Sequence, residues 1–143
     1  MFEFCKSLTT TAEIRDLKVP GPSCFYTMYR ECDNLTKAHD IKYDKLLAKS
    51  CSNMFENCDS LITAPLLLTV NAPENAYHGM FFNCKNLSYI ECGLVSPNSM
   101  FGNHWVKGVA SSGTFVKNEL RTKYEYSDDS IPTGWNIVNK KFD

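Results

Sequence analysis

The sequence predicts an α/β solenoid, a coil in which short helices alternate with a ladder of parallel strands and a C-terminal β cap closes the end. Three observations predict this fold class. An eight-residue motif occurs four times, at intervals of 27, 26 and 26 residues. Each copy spaces its apolar residues as one face of a helix does. Leucine and further aliphatic residues then follow each copy, which favours a short buried strand.

The motif reads Met, aromatic, any, any, Cys, any, small polar, Leu, and we count positions from its Met as 0. Its copies are Met1–Leu8, Met28–Leu35, Met54–Leu61 and Met80–Leu87. A fixed period of this length is typical of repeats that bury their apolar faces only against their neighbours.

A short amphipathic helix of about two turns is predicted around each Met. Phe25, Cys51 and Tyr77 lie at position −3, so positions −3, 0, +1 and +4 are apolar in the last three copies. This is the i, i+3, i+4, i+7 spacing of a helix face. Turn-forming residues such as Asp33-Asn34 follow the Cys and end the helix.

Parallel strands about 4.8 Å apart are predicted at the leucine of each copy. These leucines are Leu8, Leu35, Leu61 and Leu87. Aliphatic residues continue the strands at +10 and +13, as in Ala38 and Ile41. The helices are expected on the other side of the coil.

The chain is predicted to form one continuous domain with two parts. Residues 1–95 hold four repeats of about 26 residues, and residues 96–143 hold a degenerate repeat and the cap. Ser96 as N-cap and Pro97 at the first helical position predict a helix start before Met100-Phe101.

Within the cap, two segments that each begin with a glycine are predicted to be strands. They are residues 113–117 and 134–138. The Asp128-Asp129 pair lies between them in a polar stretch, which we interpret as an exposed connection.

Composition excludes several classes of protein. The 143 residues carry a net charge of −1, with 43% hydrophobic and 22% charged residues. This is ordinary for a globular domain and provides no basic surface for nucleic acid. No apolar run approaches the roughly 18 residues that a membrane helix needs, and no signal peptide is recognised.

The seven cysteines are interpreted as structural. Cys5, Cys32, Cys58 and Cys84 share position +4 and are predicted to be free, buried thiols that fill a narrow core. Helices about 8–10 Å apart would hold them beyond the roughly 7 Å that a disulfide spans. Disulfides or a metal are the alternatives, although no C-x-x-C is present. Cys24 and Cys92 lie off this ladder and could be exposed.

No enzyme, cofactor or metal site is predicted. A pairing of one cysteine with His39, His78 or His104 is the catalytic alternative, but buried thiols are inert rather than activated. There is no glycine-rich phosphate loop, and the methionines are interpreted as core.

The repeats resemble the BspA-like leucine-rich repeats. The matching residues are Tyr77-x-x-Met80-Phe81-x-x-Cys84-x-x-Leu87 and the preceding Leu61-x-x-Ala64-Pro65-x-Leu67. The tail resembles the ending of such arrays in Bacteroides and phage-associated proteins, through Trp105-Val106-x-Gly108-Val109-Ala110-Ser111-Ser112-Gly113-Thr114-Phe115-Val116-Lys117 and Ile131-Pro132-x-Gly134-Trp135. The resemblance implies a leucine-rich-repeat coil that attaches to or recognises something at a cell or virion surface, without catalysis.

Two functions follow as expectations from this resemblance. The first is a non-enzymatic binding or adhesion module of a bacterial surface or secreted protein, with a protein or glycan partner. The alternative is a phage virion structural or decoration protein of the tail or capsid, and an enzyme ranks third. The expected location is the cell surface or exterior, or else the virion.

The predicted partner-binding residues project from the strand ladder and vary between copies. They are Lys37, His39, Thr63, Tyr89 and Glu91. Tyr89 and Lys37 are the expected anchors, because large amphipathic side chains carry most binding energy. The alternative is an ordinary solvated face. Separately, Met1, Phe2 and Leu8 belong to a coil without a preceding neighbour, which predicts self-association or further sequence upstream.

Overall fold

A computed structural model describes residues 2–14, 20–69, 72–95 and 101–143. The predicted α/β solenoid with a leucine-rich-repeat coil is wrong. The described ranges contain no α-helix and three short strands, which are β1 (Tyr89–Cys92), β2 (Thr114–Asn118) and β3 (Asn136–Lys140). The strands form one parallel sheet in the order β1-β2-β3.

The segments predicted as helices are runs of consecutive tight turns. In the second copy, the N–H groups of Met28, Arg30 and Cys32 donate to carbonyls three residues back, at 3.1, 3.1 and 3.3 Å. Thr27 and Glu31 lie between these turns with left-handed φ values of 49° and 57°. A left-handed residue at every fourth position interrupts any right-handed helix, so the apolar spacing was misleading here.

The intervening N–H groups donate to the next copy instead. The N–H of Tyr29 donates to the Met54 carbonyl at 2.9 Å, and that of Phe55 to the Met80 carbonyl at 3.0 Å. The turn runs therefore lie side by side, and we call residues 2–8, 22–32, 48–58, 74–84 and 101–108 the turn stack. Because Phe81 donates to the Trp105 carbonyl at 2.8 Å, Trp105 occupies the Met position of the last run.

In the degenerate repeat, Trp105 rather than Met100 therefore corresponds to the Met of the earlier copies. Met100 itself, like the predicted helix start at Ser96-Pro97, lies outside the described residues. Phe101 is buried and stacks on Trp105 with ring centroids 4.1 Å apart.

A column of aromatic rings runs through the turn stack at position +1. The rings of Phe2, Tyr29, Phe55 and Phe81 follow each other at 5.6, 5.6 and 5.8 Å and are within 9° of parallel. Such pairs contribute about 0.5–1.5 kcal/mol each beyond the area that they bury. This repeated contact explains why the motif requires an aromatic residue at this position.

The predicted strands at Leu8, Leu35, Leu61 and Leu87 are not formed. Isolated bridges join Thr10 to Lys37 and Thr63 to Tyr89, and β1 begins two residues after Leu87. Pro65, which has no N–H to donate, follows Thr63 by two residues and limits pairing there. The strands predicted at 113–117 and 134–138 are found as β2 and β3, displaced by one and two residues.

All seven cysteines are free, as predicted for the ladder. Cys32, Cys58 and Cys84 are buried, and each thiol donates to the position +1 carbonyl of the preceding copy at 3.0, 3.1 and 2.9 Å. The prediction is wrong for the burial of Cys5, which is half-buried in a run covered on one side. The reason given for free thiols, a helix spacing of about 8–10 Å, is also wrong, because the copies are turn runs joined directly by hydrogen bonds and lie closer together than packed helices. Cys92 points into the core and is buried.

Candidate functional site

The outward side of the sheet brings polar side chains into register. Tyr89, Thr114 and Asn136 form one row across the three strands, and Thr63 extends it through its bridge to Tyr89. Residues in register on neighbouring parallel strands point to the same side. We define the sheet face as the following residues: Thr63, Tyr89, Glu91, Thr114, Val116, Asn136, Val138 and Lys140.

A charged network fixes one end of the sheet face. The Tyr89 hydroxyl donates to Glu91 Oε2 at 3.2 Å, and Lys140 Nζ donates to Glu91 Oε1. Burial and the neighbouring Glu91 carboxylate raise the pKa of Tyr89, and the hydrogen bond with Glu91 raises the pKa of Lys140. The phenol therefore stays protonated and the ammonium stays charged at neutral pH.

Three of the five predicted binding residues belong to the sheet face. Thr63, Tyr89 and Glu91 lie together on the sheet face. Lys37 pairs with the first copy through its bridge to Thr10 and is exposed. Among the described hydrogen bonds and ion pairs, none joins Lys37 or His39 to the sheet face.

His39 contacts the hydroxyl of Thr11 through both its backbone N–H and its ring. Its N–H donates to Thr11 Oγ1 at 2.9 Å, and its Nδ1 lies 3.2 Å from the same oxygen. His39 is half-buried, which leaves its ring only partly accessible to a partner.

Three polar residues of the sheet face were missed by sequence reasoning, together with Val116 and Val138. Thr114, Asn136 and Lys140 come from β2 and β3, which the sequence placed in the cap rather than beside Tyr89. The alternation within the two predicted strands is the signal that could have found them, since every second residue of a strand shares a face.

Burial keeps the thiols of Cys58, Cys84 and Cys92 protonated. Burial raises the pKa of Cys58 to about 12 and that of Cys92 to about 11, and it also raises the pKa of Cys84. Protonated thiols neither attack substrates nor bind metals. Within the described ranges, no three His, Cys, Asp or Glu side chains are grouped closely enough to hold a metal ion.

Comparisons with protein-family models, curated proteins and solved structures find no match. In the part of the chain that the structure describes, no helix has the length and apolar character needed to span a bilayer. The sheet face is therefore interpreted from its own geometry.

Proposed function

We propose that this chain is a non-enzymatic binding module at a cell surface, and that its ligand is a glycan bound by the sheet face. The observation that carries the proposal is the row of Thr63, Tyr89, Thr114 and Asn136, with the Tyr89–Glu91–Lys140 network beside it. Hydroxyl, amide, carboxylate and ammonium groups can hydrogen-bond sugar hydroxyls, and an aromatic ring can pack against the C–H face of a sugar.

The dimensions and composition of the sheet face favour a glycan over a protein partner. Three strands of four or five residues cover about 14 Å by 16 Å. A standard protein interface buries about 800 Å² per partner around an apolar core. The sheet face is smaller than that, and its one aromatic residue is Tyr89.

The test is binding to a panel of immobilised oligosaccharides, followed by titration of any oligosaccharide that binds. We expect Tyr89→Ala and Asn136→Ala each to weaken binding by more than about fivefold, because both remove central contacts. Lys37→Ala is a matched control off the sheet face and should bind normally. Circular dichroism of each variant checks that folding is intact.

Two outcomes would contradict the proposal. Loss of binding in Arg30→Ala or Glu56→Ala, with the sheet-face variants unaffected, would place the site on the turn stack instead. Binding to a purified surface protein but to no oligosaccharide would identify a protein ligand.

A further inference from the structure

A small cavity, partly open to solvent, lies where the second and third turn runs meet the segments that follow the first and second runs. Its volume is about 20 Å³, and its lining includes Thr11, Ala12, Tyr29 and His39. A cavity needs about 10–15 Å³ by this measure to hold one water molecule. The cavity can therefore hold one molecule of that size.

The hydroxyl of Tyr29 needs a partner in this region. Tyr29 is 1% exposed, and its hydroxyl makes no hydrogen bond within the described residues. Burial raises the pKa of Tyr29, so the phenol is protonated at neutral pH. Tyr29 and Ala12 both line the cavity. An unsatisfied buried hydroxyl would lower the folding equilibrium constant by about tenfold.

The hydroxyl is not needed for the ring column. The equivalent residues of the other copies are Phe2, Phe55 and Phe81, and their rings stack as closely as that of Tyr29. Tyr29 is therefore the one residue of the ring column that carries a hydroxyl, and it lines this cavity.

Further polar groups line the same cavity. Thr11 is 4% exposed, and its hydroxyl lies within hydrogen-bonding distance of both the backbone N–H and Nδ1 of His39. A hydrated cavity is typically polar, with two to four partners for its water, whereas empty cavities are apolar.

We propose that the cavity binds one water molecule, held by the Tyr29 hydroxyl and by the polar wall that Thr11, His39 and the Ala12 backbone supply. The volume restricts the ligand to a molecule of this size. The Tyr29 hydroxyl is then satisfied by water rather than by protein, and its presence in place of the Phe of other copies has a reason.

The first test is Tyr29→Phe, with the folding equilibrium constant measured by urea denaturation. If water satisfies the hydroxyl, removing the hydroxyl brings no gain, so we expect an equal or smaller constant. A gain of more than about threefold would show an unsatisfied hydroxyl and overturn the proposal. Phe81→Tyr is the matched control, because Phe81 does not line this cavity. It should lower the constant by about tenfold.

The second test is direct and does not depend on a variant folding. A high-resolution crystal structure should show an ordered water within hydrogen-bonding distance of the Tyr29 hydroxyl. An empty cavity there would overturn the proposal. In crystals of Thr11→Val the water should be displaced or lost, since part of the polar wall is removed.

Discussion

Thr27, Asn53 and Gly79 occupy the same position, −1, in three successive copies. All three have left-handed φ values, of 49°, 54° and 57°. Glycine adopts this conformation freely and asparagine tolerates it, whereas a β-branched residue is strained there. The three copies therefore form the same backbone turn with different conformational strain, which is greatest at Thr27 and least at Gly79.

Thr27→Asn should stabilise the protein by about 0.5–1 kcal/mol, because asparagine relieves the strain and is found in the next copy. Urea denaturation measures the change. The reverse comparison is Gly79→Thr, which adds the strain and would bring a Cβ within 2.6 Å of Asn53 Nδ2. It should destabilise by about 2 kcal/mol. A destabilised Thr27→Asn would show that the threonine side chain makes a contact worth more than the strain.

Thiol reactivity should follow burial. In the native protein at pH 8, we expect only the half-buried Cys5 and Cys24 to react rapidly with a thiol reagent, and all seven to react after unfolding. Mass spectrometry of the labelled protein identifies the sites. A protein with Cys5→Ser and Cys24→Ser should label slowly throughout. Rapid native labelling of Cys58 or Cys84 would contradict the buried ladder.

The turn runs show which part of each element could be predicted from sequence. Apolar residues at −3, 0, +1 and +4 do face the core, but a run of turns buries the same set as a helix face does. The distinguishing signal lies at the polar positions, where Asn57 and Asn83 at +3 have left-handed φ values of 59° and 58°. Asparagine and glycine recurring at every fourth residue indicate consecutive turns rather than a helix.

The sheet face could be predicted only in part. Thr63, Tyr89 and Glu91 were identified because the repeat register shows which residues project outward. The contact between Glu91 and Lys140 spans 49 residues and depends on β3 pairing with β2, which no local pattern encodes. Lys37 was grouped with Tyr89 on the assumption of a continuous strand ladder, whereas the described pairing between the second and third copies is an isolated bridge from Ile41 to Leu67.

Gly113, which directly precedes β2, lies close to the backbone of Ser88, which directly precedes β1. A Cβ at this position would overlap the Ser88 carbonyl oxygen and lie 2.9 Å from Trp135 Cε2. We expect Gly113→Ala to destabilise by about 2 kcal/mol, because backbone cannot move aside as a flexible side chain can. Gly21→Ala is the control, since no atom lies within 4 Å of its added Cβ. Equal stability of the two variants in thermal denaturation would refute this packing.

Stability of the whole molecule should fall in alkaline solution. In the unfolded chain the thiols ionise near their ordinary pKa of 9.0, whereas the folded pKa values of Cys58 and Cys92 are about 12 and 11. Above pH 9 the unfolded state therefore binds fewer protons than the folded state, and the free energy of unfolding decreases until the folded thiols ionise. Each thiol contributes up to about 1.4 kcal/mol per pH unit.

Urea denaturation under reducing conditions at pH 8 and pH 10 measures this loss. The variant with Cys58→Ala and Cys92→Ala should be less stable at pH 8 but should lose less stability on going to pH 10. A wild-type free energy of unfolding that is constant over this range would contradict the buried, protonated state of these thiols.

Self-association through the first copy stays a prediction for the whole molecule. Phe2 and Phe4, 39% and 53% exposed, leave apolar surface at the open end of the ring column. We expect concentration-dependent association in sedimentation velocity, reduced in the variant with Phe2→Ser and Phe4→Ser. A wild-type protein that stays monomeric at its highest soluble concentration would exclude this contact.

The backbone hydrogen bonds between turn runs all point one way, and this gives the turn stack a dipole along its length. Tyr29 donates to Met54, Phe55 to Met80, and Val106 to the Asp128 carbonyl, so peptide dipoles of about 3.5 D add along the stack. The carbonyl pole lies at the first copy and the amide pole at the last. The Asp129 carboxylate accepts the His104 N–H at the amide pole, where a negative charge is favoured. A chain with a net charge of only −1 can thus carry a permanent moment that orients it in the field of a charged surface.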